Sequence, residues 1–190
     1  MNWIHHGASS SIVEPKVKSV TDPLQVEPMS SASPSFSLPP REGERPQTGD
    51  ALPHLQLSQK SPDDVREALK RWVLTTLPDV EERDTRISVR TTRAWFLVDE
   101  APVLDGVEFM PPPGGREFAH VHLDGSMHLC VSEEAIQEIV RSGWGEPHPL
   151  KDQGVNEVLF YAPRTMEELP FAQRAVAEAY YYSTGRTISE

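Results

Sequence analysis

The chain of 190 residues is 37% hydrophobic and 25% charged, which suits a single soluble domain with its own core. A formal net charge of -11 argues against a nucleic-acid partner, because phosphates would repel it. The lone cysteine, Cys130, excludes an intramolecular disulfide, and no apolar run approaches the ~20 residues that a membrane-spanning helix needs.

The start MNWIHHGASSSIVEP lacks a basic segment followed by an apolar one, so no secretory signal is read and a cytoplasmic location is expected. Residues 1–37 hold nine serines and four prolines with few large apolar groups. Such a segment buries too little to offset its ordering entropy. A disordered tail is expected there, with one domain over residues 38–190. The domain opens on a Pro-rich arm whose Leu52, Leu55 and Leu57 suggest an extended segment laid on a core.

SPDDVREALKRWVLTTL predicts the first helix. Ser61 is placed to cap it, Pro62 suits its first position, and Asp63 and Asp64 favour its positive end. Val65, Leu69, Trp72, Val73 and Leu77 recur at helical spacing and mark its buried face. LPDVEERDT then reads as a turn. RISV and RAWFLVD read as strands, with Trp95 and Leu97 on one face and Phe96 and Val98 on the other. Pro111, Pro112 and Pro113 keep the following loop out of a sheet.

REFAHVHL and SMHLCV flank Asp124-Gly125, a hairpin signal. Ser132, Glu133 and Glu134 open a second helix with Ala135, Ile136, Ile139 and Val140 facing inward, and Gly143 ends it. EVLFYA predicts a central strand. Thr165 and Glu168 have capping-box spacing before a last helix with the buried stripe Ala172, Ala175, Val176, Ala179 and Tyr180. The order of elements is that of an α+β single domain, a mainly antiparallel sheet packed with about three helices.

Three of the seven histidines fall within this hairpin. His120 and His122 leave the same face of a strand. A two-residue turn at Asp124-Gly125 would send His128 to the opposite face, whereas a three-residue turn, Leu123-Asp124-Gly125, pairs it with His120. The alternation favours the three-residue turn, because it gathers Val121, Met127 and Leu129 on one side and the histidines with Cys130 on the other.

Three such imidazoles can hold zinc or iron, or one can act as a general base, or all can be half-buried sheet residues bonded to backbone and to one another. No carboxylate stands at recognisable ligand spacing, so a metal on His120, His122 and His128 is the alternative rather than the first expectation. The loop Gly143 to Leu150 presents Trp144, Glu146 and His148 within five residues. Trp144 reads either as a core plug or as an aromatic pocket wall. Arg116 and Glu117 read either as substrate contacts or as a surface ion pair.

REFAHVHLDGSMHL, GWGEPHPL and YAPRTMEEL, in that order and spacing, resemble the luciferase-domain family, which includes the luciferase of luminous fungi and many non-luminous fungal and bacterial relatives. The likeness runs through PPREGERP, PHLQL and RISV, and so covers residues 38–184. It implies a pocket for an aromatic or enolic metabolite and, for the luminous members, oxidation of a hydroxypyrone (3-hydroxyhispidin) by molecular oxygen. Carbon dioxide is then lost from a peroxide and light is emitted. No cofactor beyond oxygen is implied, with zinc or iron as the alternative.

On that resemblance His120, His122, His128 and His148 supply the base and hydrogen bonds, and Trp144, Glu146, Arg116 and Glu117 meet the substrate. A small oxygenase that need not emit light is the first expectation. The alternatives are a non-catalytic small-molecule binding module and a metal-dependent enzyme.

Overall fold

The computed structural model describes Met1, Ser33 and residues 36–188. The disorder expected for residues 1–37 therefore falls outside the described residues, save at Met1, Ser33, Phe36 and Ser37. Of these, Phe36 packs on the hydrophobic core and the Ser33 amide donates to Glu178 Oε1.

Among the described residues the domain has three α-helices, α1 (Asp63–Thr76), α2 (Glu133–Arg141) and α3 (Leu169–Thr184). Its strands are β1 (Val80–Asp84), β2 (Arg93–Leu97), β3 (Glu117–Val121), β4 (Met127–Leu129), β5 (Gly145–Pro147) and β6 (Val158–Phe160). They form one antiparallel sheet in the order β1-β2-β3-β4-β6-β5. This is the α+β single domain expected, with β6 an interior strand.

One face of the sheet carries the core. Trp95, Leu97, Val121, Met127, Leu129, Val158 and Phe160 pack with Val65, Leu69 and Val73 of α1, Ile136 and Ile139 of α2, and Ala172, Ala175, Val176 and Ala179 of α3. Side chains alternate across a strand, so burying this set leaves a second face that must be covered by something else. The arm over residues 38–60 does so, tied down where the Ala162 amide donates to Gln56 Oε1 at 2.9 Å.

The arm is extended as expected, but Leu52, Leu55 and Leu57 are not its buried set. Leu52 and Leu57 are exposed, while His54 and Gln56 are buried. The face beneath the arm is polar, so polar residues find partners there and leucines would not.

Several local expectations are corrected. VEERD, read as a turn, is the edge strand β1, whose charged side chains suit a position half open to solvent. RISV is a bend rather than a strand, and β5 lies within the Gly-Trp-Gly loop, with Pro147 tolerated on the sheet edge. Ser61 does not cap α1; its hydroxyl donates to the Pro163 carbonyl instead. Glu168 makes no capping box with Thr165, because its carboxylate takes the Arg164 amide at 2.7 Å and the Arg164 guanidinium. Ser132 does cap α2, accepting from the Ala135 amide, although Val140 faces solvent.

Candidate functional site: a buried histidine cluster

The β3–β4 hairpin sets the geometry of the site. His120 pairs with His128 and Val121 with Met127, around the three-residue turn Leu123-Asp124-Gly125. The turn is closed by the His122 amide donating to the Ser126 carbonyl and the Gly125 amide to the His122 carbonyl. Ala119, Val121, Met127 and Leu129 enter the core, and the histidines take the other face.

A bulge adjusts one further residue. Trp95 pairs with Ala119 and Phe96 with Glu117, leaving Phe118 as the extra residue in β3. Phe118 and Ala119 both point to the core, so Glu117 and His120 share the histidine face despite their odd spacing.

Five imidazoles meet on that face. The His128 ring lies 5.1 Å from His120, 5.2 Å from His122, 5.2 Å from His148 and 5.4 Å from His54, between centroids. All five are buried, His120 at 1% exposure and His148, the most open, at 7%. His148 arrives from the loop after β5. His54 comes from the arm, and the sequence reading missed it. A lone histidine in a Pro-rich segment carries no spacing signal, and only the PHLQL likeness touched it.

Each ring is oriented by a polar neighbour. His120 Nδ1 is 2.8 Å from Glu117 Oε1, which also accepts from the Thr85 hydroxyl at 2.9 Å. His128 Nδ1 faces Glu157 Oε2 at 3.4 Å. His122 Nδ1 is 3.0 Å from the Ser126 hydroxyl, and its Nε2 lies 3.3 Å from the Ser88 hydroxyl. His54 Nε2 is 2.8 Å from Glu146 Oε1, and His148 Nδ1 accepts from the Leu150 amide at 3.2 Å.

A carboxylate only accepts, which assigns the ring proton to Nδ1 in His120 and to Nε2 in His54. The opposite nitrogens, His120 Nε2, His128 Nε2 and His54 Nδ1, are buried without a partner among the described residues.

Burial governs the electrostatics. It pushes His122 down to about 3, assisted by His120 and His54, and His148 down to about 4, assisted by the same two rings. His128 is also held well below its ordinary value, first by burial and then by its imidazole neighbours. These rings are neutral at physiological pH. Glu157 is raised to about 7 by burial and by the charge of Glu117. Burial likewise raises the Cys130 thiol, so it is no nucleophile.

The other sequence candidates separate. Glu117 is buried beside His120 and makes no ion pair with Arg116, whose guanidinium donates to the Ala101 carbonyl at 3.1 Å. Glu146 has both oxygens engaged, one by His54 and the other by Tyr161, at 2.7 Å, and by Arg45. It orients His54. Trp144 sits in the core, stacked on Phe160 at 5.7 Å, and its Nε1 donates to the Pro39 carbonyl.

A cavity of 590 Å³ shares walls with the cluster: Met110, whose Sδ is 3.1 Å from His120 Nδ1, and Glu157 beside His128. Arg116, Phe109 and Val155 line it as well. A larger cavity of 800 Å³ lies between α1 and α3, lined by Phe36, Trp72, Arg174 and Tyr181. Chemistry rather than size points to the smaller one.

The histidine hairpin, the β5 loop and most of α3 fall within residues 115–179, which match the model of the luciferase-domain family. The chain carries a luciferase domain over these residues. The luciferase of Armillaria mellea is 30% identical over 175 residues, covering 80% of this chain and 65% of the relative. That of Armillaria gallica is 30% identical over 166 residues, with 77% and 61% covered. The luciferase of Neonothopanus nambi is 28% identical over 165 residues, with the same coverage. The luciferase domain here thus spans less than two thirds of the length of these relatives. No solved structure matches it.

Proposed function

We propose that this luciferase-domain protein is a small oxygenase that binds an aromatic or enolic, hydroxypyrone-like metabolite and activates it at the histidine cluster. The observation that carries the reading is a cluster of five buried imidazoles in which His120 meets Met110 and His128 meets Glu157, both of them wall residues of a 590 Å³ cavity. A volume of that order accepts a ligand of one or two rings, and Phe109, Met110 and Val155 give it apolar walls. The likeness to proteins named luciferase supports the reaction class.

The chemistry follows from a lone pair held ready in a water-poor site. An imidazole nitrogen of the cluster removes the enol proton and leaves an electron-rich enolate. One carbon–oxygen bond then forms to molecular oxygen. The enolate is oxidised by two electrons, oxygen is reduced to the peroxide level, and the imidazolium returns its proton to that peroxide. Burial holds His122, His128 and His148 against carrying charge at rest, so a protonated ring among them is a strong acid that gives the proton back readily.

Oxygen uptake with a series of hydroxypyrones tests the proposal. Turnover is expected, with a loss of at least ~10²-fold in folded His120→Ala and His148→Ala. Saturable binding without oxygen uptake would make the domain a binding module instead.

A further inference from the structure

The histidine face carries two features that a purely organic site leaves unexplained. The first is the pair of unpartnered nitrogens, His120 Nε2 and His128 Nε2, buried in the same cluster. A buried polar atom without a partner costs about 1–3 kcal/mol, so two in adjacent rings call for a common occupant. The second is a pair of carboxylates behind these rings. Glu117 and Glu157 are both buried, and among the described residues neither meets a lysine or arginine.

We infer that the hairpin holds a single divalent transition-metal ion, of the zinc or ferrous type, through His120, His122 and His128. One ring nitrogen from each of these residues lies within 4.8 Å of the other two. An ion at the centre of that triangle needs inward shifts of under ~1 Å to reach metal–nitrogen distances of about 2.0–2.1 Å.

The opposite nitrogen of each ring already has its orienting group: Glu117 for His120, Glu157 for His128 and the Ser126 hydroxyl for His122. A carboxylate or hydroxyl behind the ring is what a metal-ligating histidine uses to hold its tautomer and orientation. The absence of a carboxylate at ligand spacing in the sequence is thereby accounted for, because the carboxylates stand behind the rings rather than among the ligands.

A second triad, His54, His128 and His148, has the same span. It is the weaker donor set, because the Leu150 amide already donates to His148 Nδ1 and His54 sits on the arm rather than on the sheet. In the hairpin triad His120 and His128 are directly paired across β3 and β4 and His122 follows β3 at once, so the set is rigid before any ion binds. Three imidazoles leave open positions, as in catalytic rather than structural metal sites.

The site stands on geometry alone, while its catalytic use rests on the oxygenase reading. An ion there would ease enol deprotonation by stabilising the enolate.

The test uses the full chain, prepared without a histidine tag, stripped by chelator and titrated with Co²⁺ and Zn²⁺. One ion per chain is expected, with a visible Co²⁺ d–d band displaced by Zn²⁺. His120→Ala, His122→Ala and His128→Ala should abolish the band, whereas His54→Ala and His148→Ala keep it. Glu117→Gln, which preserves the packing, should weaken affinity by about 10–100-fold and serves where an alanine variant fails to fold.

No stoichiometric binding, or a band lost in His54→Ala and His148→Ala but kept in His120→Ala, overturns the assignment. Oxygen uptake is read separately. Tight binding without uptake removes the oxygenase reading and leaves the ion. Uptake by a chain that binds no ion does the reverse.

Discussion

His120 and His128 stand directly opposite each other across the β3–β4 hairpin, with their ring centroids 5.1 Å apart. That pairing places the rest of the cluster. One residue less in the turn would carry His128 to the core face and bring Met127 or Leu129 to the polar one. The turn is therefore part of the site although none of its three residues touches a histidine ring. Its conformation depends on Gly125, at φ +91°, and its position on the Ser61 amide, which donates to the Asp124 carbonyl at 2.8 Å.

Gly125→Ala should be costly for two reasons at once. The left-handed backbone disfavours any Cβ, and the added methyl would run into the Ser61 side chain. A loss of about 2–4 kcal/mol is expected in urea denaturation. Gly106→Ala is the control, since Gly106 has φ +80° but nothing within 4 Å of its added Cβ. It should lose about 1 kcal/mol from backbone strain alone. Equal losses in the two variants would show that Ser61 does not press on the turn.

Much of this arrangement was legible in the residues. The hairpin register follows from a period of two with the histidines on one side and Val121, Met127 and Leu129 on the other. The helices follow from apolar spacing, and α2 from its Ser132 cap as well. What was not legible depends on distant partners. VEERD has no strand-like alternation because it is an edge, and its register comes from β2. His54 and Glu157 each lack a local pattern, and only the folded arm and the β6 register bring them to His128. The arm leucines misled because alternation reveals an extended segment without saying which side is buried.

Trp144 separates a core role from a pocket role. It is fully enclosed, stacked on Phe160 and bonded to the Pro39 carbonyl, and it lines neither cavity. Trp144→Phe should lower stability by about 1–3 kcal/mol through lost volume and a lost hydrogen bond. The KM for a hydroxypyrone substrate should stay unchanged. A raised KM at unchanged melting temperature would return Trp144 to the substrate pocket.

Glu146 links acid stability to the orientation of His54. Its carboxyl is held down to about 2: burial opposes this, but hydrogen bonds from His54, Tyr161, Thr48 and Arg45 outweigh burial. A carboxyl lower in the folded than in the unfolded chain stabilises the fold at pH values above its unfolded value near 4.5, and that contribution fades as pH falls towards 2. Wild type should therefore exceed Glu146→Gln by about 1–2 kcal/mol at pH 6, a figure reduced because the exposed Arg45 side of the network is screened. Urea midpoints of the two proteins, measured at intervals from pH 6 to pH 2.5, should converge on acidification. A gap that stays constant or widens on acidification would mean that Glu146 acts through packing rather than charge.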